Sequence, residues 1–172
     1  MSKLTVKRSD ITQMKTDAIV CPANIGLFEG AGICGDIFRE AGADRMTDAC
    51  DIIGRCEVGA SVISEGFKLK CRYVIHTVGP QWVDGQHGEN ELMYKAYRSA
   101  LDMAMQYDVH SISIPLLAVE LYDYPKEESW RQGLQAAIDF QKETDYELDI
   151  QFVVPSESTR KLGREILDEL TK

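Results

Sequence analysis

The sequence predicts an α/β protein: a mixed central sheet with helices on both faces. Three observations carry this. Short apolar runs of strand length recur along the chain, AIVC at 18–21 and SISIPLL at 111–117 being the clearest. Between such runs lie longer stretches with apolar residues at helical spacing. The two patterns alternate through most of the 172 residues, which argues for one layered domain over 1–172 with a sizeable core.

The elements follow in order. LTVKR at 4–8 alternates and reads as an edge strand, and AIVC is bounded by Asp17 and Pro22 as a buried strand. Helices are expected over 32–41 and 43–53. ASVIS at 60–64 and RYVIHT at 72–77 read as two strands joined through Gly66, the antiparallel part of the sheet; Val78-Gly79-Pro80 ends the second. Residues 81–90, with Asp84-Gly85 and Gly88, form a loop. Apolar positions at 93, 97, 100, 101, 104 and 105 make a helix over 91–107. SISIPLL is a strand over 111–117, with Pro115 near its end. After the Tyr124-Pro125 break comes a helix over 126–144 with Trp130, Leu134, Ala137 and Ile138 inward. DIQFVV at 149–154 is the last strand. Ser156 or Ser158 caps a final helix with Leu162, Ile166, Leu167 and Leu170 on one face. In such sheets ligands sit beyond the carboxyl ends of the strands, so the loops after Cys21, Thr77, Leu117 and Val154 should surround one crevice.

The net charge of −9 argues against non-specific binding to nucleic acid or an anionic membrane, since phosphates are repelled. No apolar run is long enough to span a bilayer, and MSKLTVKRSD lacks the apolar segment of a signal peptide. A cytoplasmic monomer without a membrane partner is the expectation. Cysteines at 21, 34, 50, 56 and 71 are odd in number, irregular and without a CxxC pair, which speaks against a disulfide framework or a zinc knuckle. Neither a metal nor a cofactor is expected. His76, alone among β-branched neighbours, reads as structural; His87 and His110 have no partner visible in sequence.

PANIGLFEGAGICGDIFREAG, from Pro22 to Gly42, holds the chemistry. Glycines at 26, 30, 32, 35 and 42 surround the start of a helix, and Asn24 stands before them. Glycines let a ligand approach the backbone, and a helix N-terminus offers free N–H groups to an anion.

The flanking segments carry a resemblance. SDITQMKTDAIVCPAN resembles the start of a macrodomain, the ADP-ribose-recognising module. GAGICGDIFREAG is similar to that family's first ligand loop and helix, RYVIHTVGP to one of its hallmarks, and ISIPLLAVELYDYP to its second ligand loop. The motifs cover essentially the whole chain in order. The resemblance implies a three-layer α/β/α fold and a set of site residues. Asp10 and Ile11 would take the adenine, by a carboxylate to its exocyclic amine and a backbone N–H to its ring; Asp10 capping a turn with Thr12 is the structural alternative. Asn24 would touch the distal ribose and is the one catalytic candidate; the alternative for it is a local turn bond. Gly30, Gly32, Ile33 and Gly35 would form the first, phosphate-side loop, and Val119, Glu120, Leu121 and Tyr122 the second ligand loop.

The sequence also departs from the family. Cys34 stands where hydrolytic members often have an acid that orients water. Two glycines of the second loop are Glu120 and Asp123, which should repel a diphosphate and redraw the loop, and Glu29 adds an acid near the first loop. Pro155 replaces an aromatic that stacks on adenine. Three functions stay open on this reading: a module that binds ADP-ribose, a related ADP-ribosyl nucleotide or an ADP-ribosylated protein, a mono-ADP-ribosyl hydrolase or O-acetyl-ADP-ribose deacetylase, and a degenerate macrodomain acting through protein contacts.

Overall fold

A computed structural model describes residues 2–172. Its strands are β1 (Leu4–Arg8), β2 (Ala18–Pro22), β3 (Ser61–Glu65), β4 (Tyr73–Thr77), β5 (Ser111–Ile114) and β6 (Asp149–Val154). They form one sheet in the order β1-β6-β5-β2-β4-β3, parallel throughout except for the β3–β4 pair. The early antiparallel pair and the edge position of β1 are as the sequence predicts. So is the neighbourhood of β2 and β5, which pair Ala18 with Ile112 and Ile19 with Ser113.

Helices α1 (Gly32–Ala41) and α2 (Ala43–Ile53) cover one face, and α3 (Glu89–Gln106), α4 (Lys126–Glu143) and α5 (Glu157–Leu170) the other. β2 shows why its run is apolar at every position: Ala18 and Val20 pack into the core under α3 and α4, Ile19 and Cys21 into the core under α1 and α2. All five cysteines are buried free thiols. Trp130, fully buried on α4, lies against Gly163 of α5, where an added Cβ would meet its ring at 2.5 Å.

Two boundaries differ from the pattern by more than one residue. The strand expected over 111–117 stops at Ile114, because Pro115 has no N–H for the ladder. Buried hydroxyls take over: Leu117 N–H donates to Tyr97 Oη at 2.9 Å, Ser129 Oγ donates to the Leu117 carbonyl at 3.0 Å, and the two hydroxyls lie 2.7 Å apart. They fix the root of the loop that follows. The helix expected from 91 begins at Glu89, whose carboxylate turns back into the loop. It accepts N–H bonds from Val83, Asp84 and Gly85 at 2.9 Å and from His87 at 2.7 Å. Burial would raise this carboxyl, but the four donors outweigh it and hold it well below the usual carboxylate range. Its oxygens are thereby committed to ordering the loop.

His76, on β4, is structural as expected. Its Nε2 lies 2.9 Å from Ser64 Oγ, while Nδ1 has no partner. The Ser64 hydroxyl also reaches the Glu65 carbonyl at 3.1 Å, so a neutral ring with Nε2–H donating to Ser64 satisfies the pair. Burial pushes the imidazole down to about 4. The unfolded chain takes up that proton near pH 6.5 and the native one does not, so stability falls as pH drops from about 6.5 to 4, by about 3 kcal/mol. Urea unfolding of wild type and His76→Gln at pH 7 and pH 4 checks this: the variant should lose less stability over that interval by about that amount.

Candidate functional site

The site is built on the start of α1. Ala31 caps this helix without a side-chain bond, and no acid of its own lies in the first turn. The first N–H groups of the helix therefore point out with their partial positive charge. Gly32 enters at φ +58°, where a side chain is strained. Gly35 gives the loop its shape: an added Cβ there would overlap the Gly30 carbonyl oxygen. Asn24 stands two residues beyond β2. Its Oδ1 accepts from Phe28 N–H at 2.9 Å and its Nδ2 donates to the Phe28 carbonyl at 3.0 Å. The local turn bonds are thus made, and one amide hydrogen and further lone-pair capacity remain.

The second loop, 118–124, is tied by Tyr122 and Tyr124 N–H groups to the Ala118 carbonyl at 3.0 and 3.2 Å. Two of its residues have positive φ, Ala118 at 66° and Asp123 at 54°. Asp is among the few side chains that tolerate this region, so Asp123 can take the left-handed turn. Glu120 needs no such conformation. Its Oε1 accepts from Ile33 N–H at 3.3 Å, and the carboxylate lies over Gly32.

Two adjoining hollows meet at Ile33. The first, of about 230 Å³, is lined by Asn24, Gly30, Gly32, Ile33 and Cys34 on one side and by Glu120, Leu121 and Tyr122 on the other. The second, wider and more open at about 650 Å³, holds Asp10, Ile11 and Pro155, with Arg8 and Asp36. The expected single crevice is therefore a pair joined at one residue. Val119 lines neither hollow and packs against the larger core. Asp10 caps the short turn Ile11–Gln13, its Oδ1 accepting from the Thr12 N–H at 2.9 Å and hydroxyl at 2.7 Å. Glu29 is matched by Arg39, 3.8 Å away, which also pairs with Asp36.

The sequence reading missed Thr77, Gly79, Leu116 and Ala118 as lining residues. Thr77 and Gly79 stand at the loop after Thr77 that the sequence places beside the crevice, though neither residue is singled out there. The direction of the Glu120 side chain had no signal in sequence.

Cys34 projects into the first hollow from the first turn of α1, its Sγ 3.7 Å from the Phe28 carbonyl. The neighbouring Cys21 thiol pulls it below the ordinary thiol range, against the effect of burial, and the Gly30 backbone acts in the same direction. Cys21 moves the opposite way, raised by the neighbouring Cys34 and by burial.

Known proteins resemble the chain in sequence and in fold. Residues 20–132 match the sequence model of the Macro domain family. The chain is 38% identical over 172 residues to the O-acetyl-ADP-ribose deacetylase of Salmonella gallinarum, covering 98% of this chain and 96% of that protein. Among solved structures, the Oceanobacillus iheyensis macrodomain with ADP superposes with a TM-score of 0.91 at 33% identity, covering 96% of this chain and 90% of that one. The Trypanosoma brucei macrodomain in complex with ADP-ribose does so with a TM-score of 0.84 at 27% identity, covering 98% and 69%.

Proposed function

Because the chain belongs to the macrodomain family, we propose that it recognises ADP-ribose, free or carried on a modified protein, in the two joined hollows. The observation that supports this best is the junction at Ile33. The first hollow alone falls below the ~300–1,000 Å³ of ordinary ligand sites. Joined to the second, it suits an elongated ligand with two unlike ends. In the second hollow the Asp10 oxygen not engaged by Thr12 accepts from the adenine amine, and Pro155 packs against the ring face. In the first, the spare amide hydrogen of Asn24 meets the diol of the distal ribose. Between them the start of α1 faces the diphosphate.

The Salmonella gallinarum relative favours a second reading, cleavage of the acetyl ester of O-acetyl-ADP-ribose. On that reading Asn24 orients the attacking water. Cys34 is a weak acceptor in place of an acid, so turnover is slow and binding is the main activity.

Calorimetry with ADP-ribose tests the first reading. Saturable binding is expected, with about 2.7 kcal/mol of added stability when ligand is at 100 times Kd. Absence of heat and of any thermal shift at millimolar ligand would overturn it and leave function through protein contacts. Release of acetate from O-acetyl-ADP-ribose, lost in Asn24→Ala, would support the second.

A further inference from the structure

The acid of the second loop is placed where an anionic ligand would go. Glu120 Oε1 accepts from Ile33 N–H at 3.3 Å. A Cβ built on Gly32 would fall 2.6 Å from Oε2 and 2.9 Å from Oε1, so the whole carboxylate sits on the face that Gly32 leaves bare. The side chain comes from far along the chain, and its residue is exposed. No cation among the described residues pairs with it, which leaves the partial positive charge of α1 as what it faces. The helix has neither a capping side chain nor a first-turn acid of its own, so Glu120 supplies both from outside. Asp123, the other acid of the loop, lines neither hollow.

Resting on the ADP-ribose reading above, we propose that Glu120 is a specificity-determining residue: its carboxylate is an internal occupant of the diphosphate position, and it ranks ligands by their negative charge there. A ligand with a diphosphate must displace the carboxylate from Ile33 and lie beside it. A ligand without phosphate, such as adenosine, uses only the second hollow and meets no such obstacle. The glycine at 32 serves two guests by turns, since the bare backbone that admits a phosphate also admits the carboxylate.

The test is calorimetry of ADP-ribose and of adenosine on wild type, Glu120→Gln and Glu120→Ala, at 0.05 and 0.5 M salt. Glu120→Ala should bind ADP-ribose at least about tenfold more tightly, with Glu120→Gln between, and the gain should shrink at high salt as the repulsion is screened. Adenosine affinity should be the same in all three. The Ile33 amide should shift in the ¹⁵N spectrum of both variants before any ligand is added, which reports the contact independently of function. Wild type and variants binding ADP-ribose equally would overturn the proposal and leave the binding function standing. An unmoved Ile33 amide would overturn it as well. Failure of all three proteins to bind ADP-ribose would overturn both. The position is exposed, so each variant should fold, and its thermal unfolding confirms that before titration.

Discussion

Gly35→Ala is expected to weaken ADP-ribose binding by ~10–100-fold and to cost about 1–3 kcal/mol of stability. The methyl group would overlap the Gly30 carbonyl oxygen. Backbone cannot swing aside as a long side chain can, so either α1 shifts or the loop from Gly30 to Gly32 does. Either movement misplaces Ile33 N–H and the lining shared by the two hollows. Gly30→Ala makes the contrast. Its added carbon has nothing nearer than 3.8 Å, so its unfolding temperature should match wild type. Thermal unfolding and calorimetry of the two variants decide this. If Gly35→Ala kept wild-type affinity, the close approach of helix and loop would be of no consequence for the site.

Trp130→Ala should give the largest loss of stability, about 3–5 kcal/mol by urea unfolding. The indole is fully buried between α4, α5 and β6, its ring centroid 5.5 Å from that of Phe152. It donates from Nε1 to the Thr159 carbonyl at 3.1 Å. Gly163 leaves no side chain able to collapse into the void, so the cavity term should be near its full value. Below its unfolding transition the variant should bind ADP-ribose as wild type does, because Trp130 lines neither hollow. A loss below 1 kcal/mol would mean that the helices close up around the gap.

Strands and helices were legible because each buries a patterned face. AIVC reads as doubly buried, and the stripe from Met93 to Ala104 marks the face of α3 that meets the sheet. The misread boundaries came from bonds that composition does not encode. Glu89 looks like any exposed acid until four backbone N–H groups are seen around it. SISIPLL is apolar to its end, although only part of it can hydrogen-bond as a strand. The site was legible as far as its glycines and Asn24. Side-chain direction was not: Glu29 and Glu120 are both acids beside ligand loops, yet one faces Arg39 and the other the start of α1. Nor does the sequence reveal that Asp123 takes the left-handed conformation, which Asp tolerates better than most side chains.

The order of strands in the sheet bears on how the chain is made. β6 lies between β1 and β5, and pairs with both through registers such as Val6 with Phe152 and Ile112 with Ile150. During synthesis the first strand to leave the ribosome thus waits for the last. Until β6 emerges, β5 has one unpaired edge and β1 has no partner among the described strands. Until then the nascent chain carries an open sheet edge, the condition under which chains stick to one another or to chaperones. Closure brings together residues far apart in sequence, so it is slow on topological grounds. Emergence of β6, rather than the making of any one helix, then sets the moment at which the sheet can close.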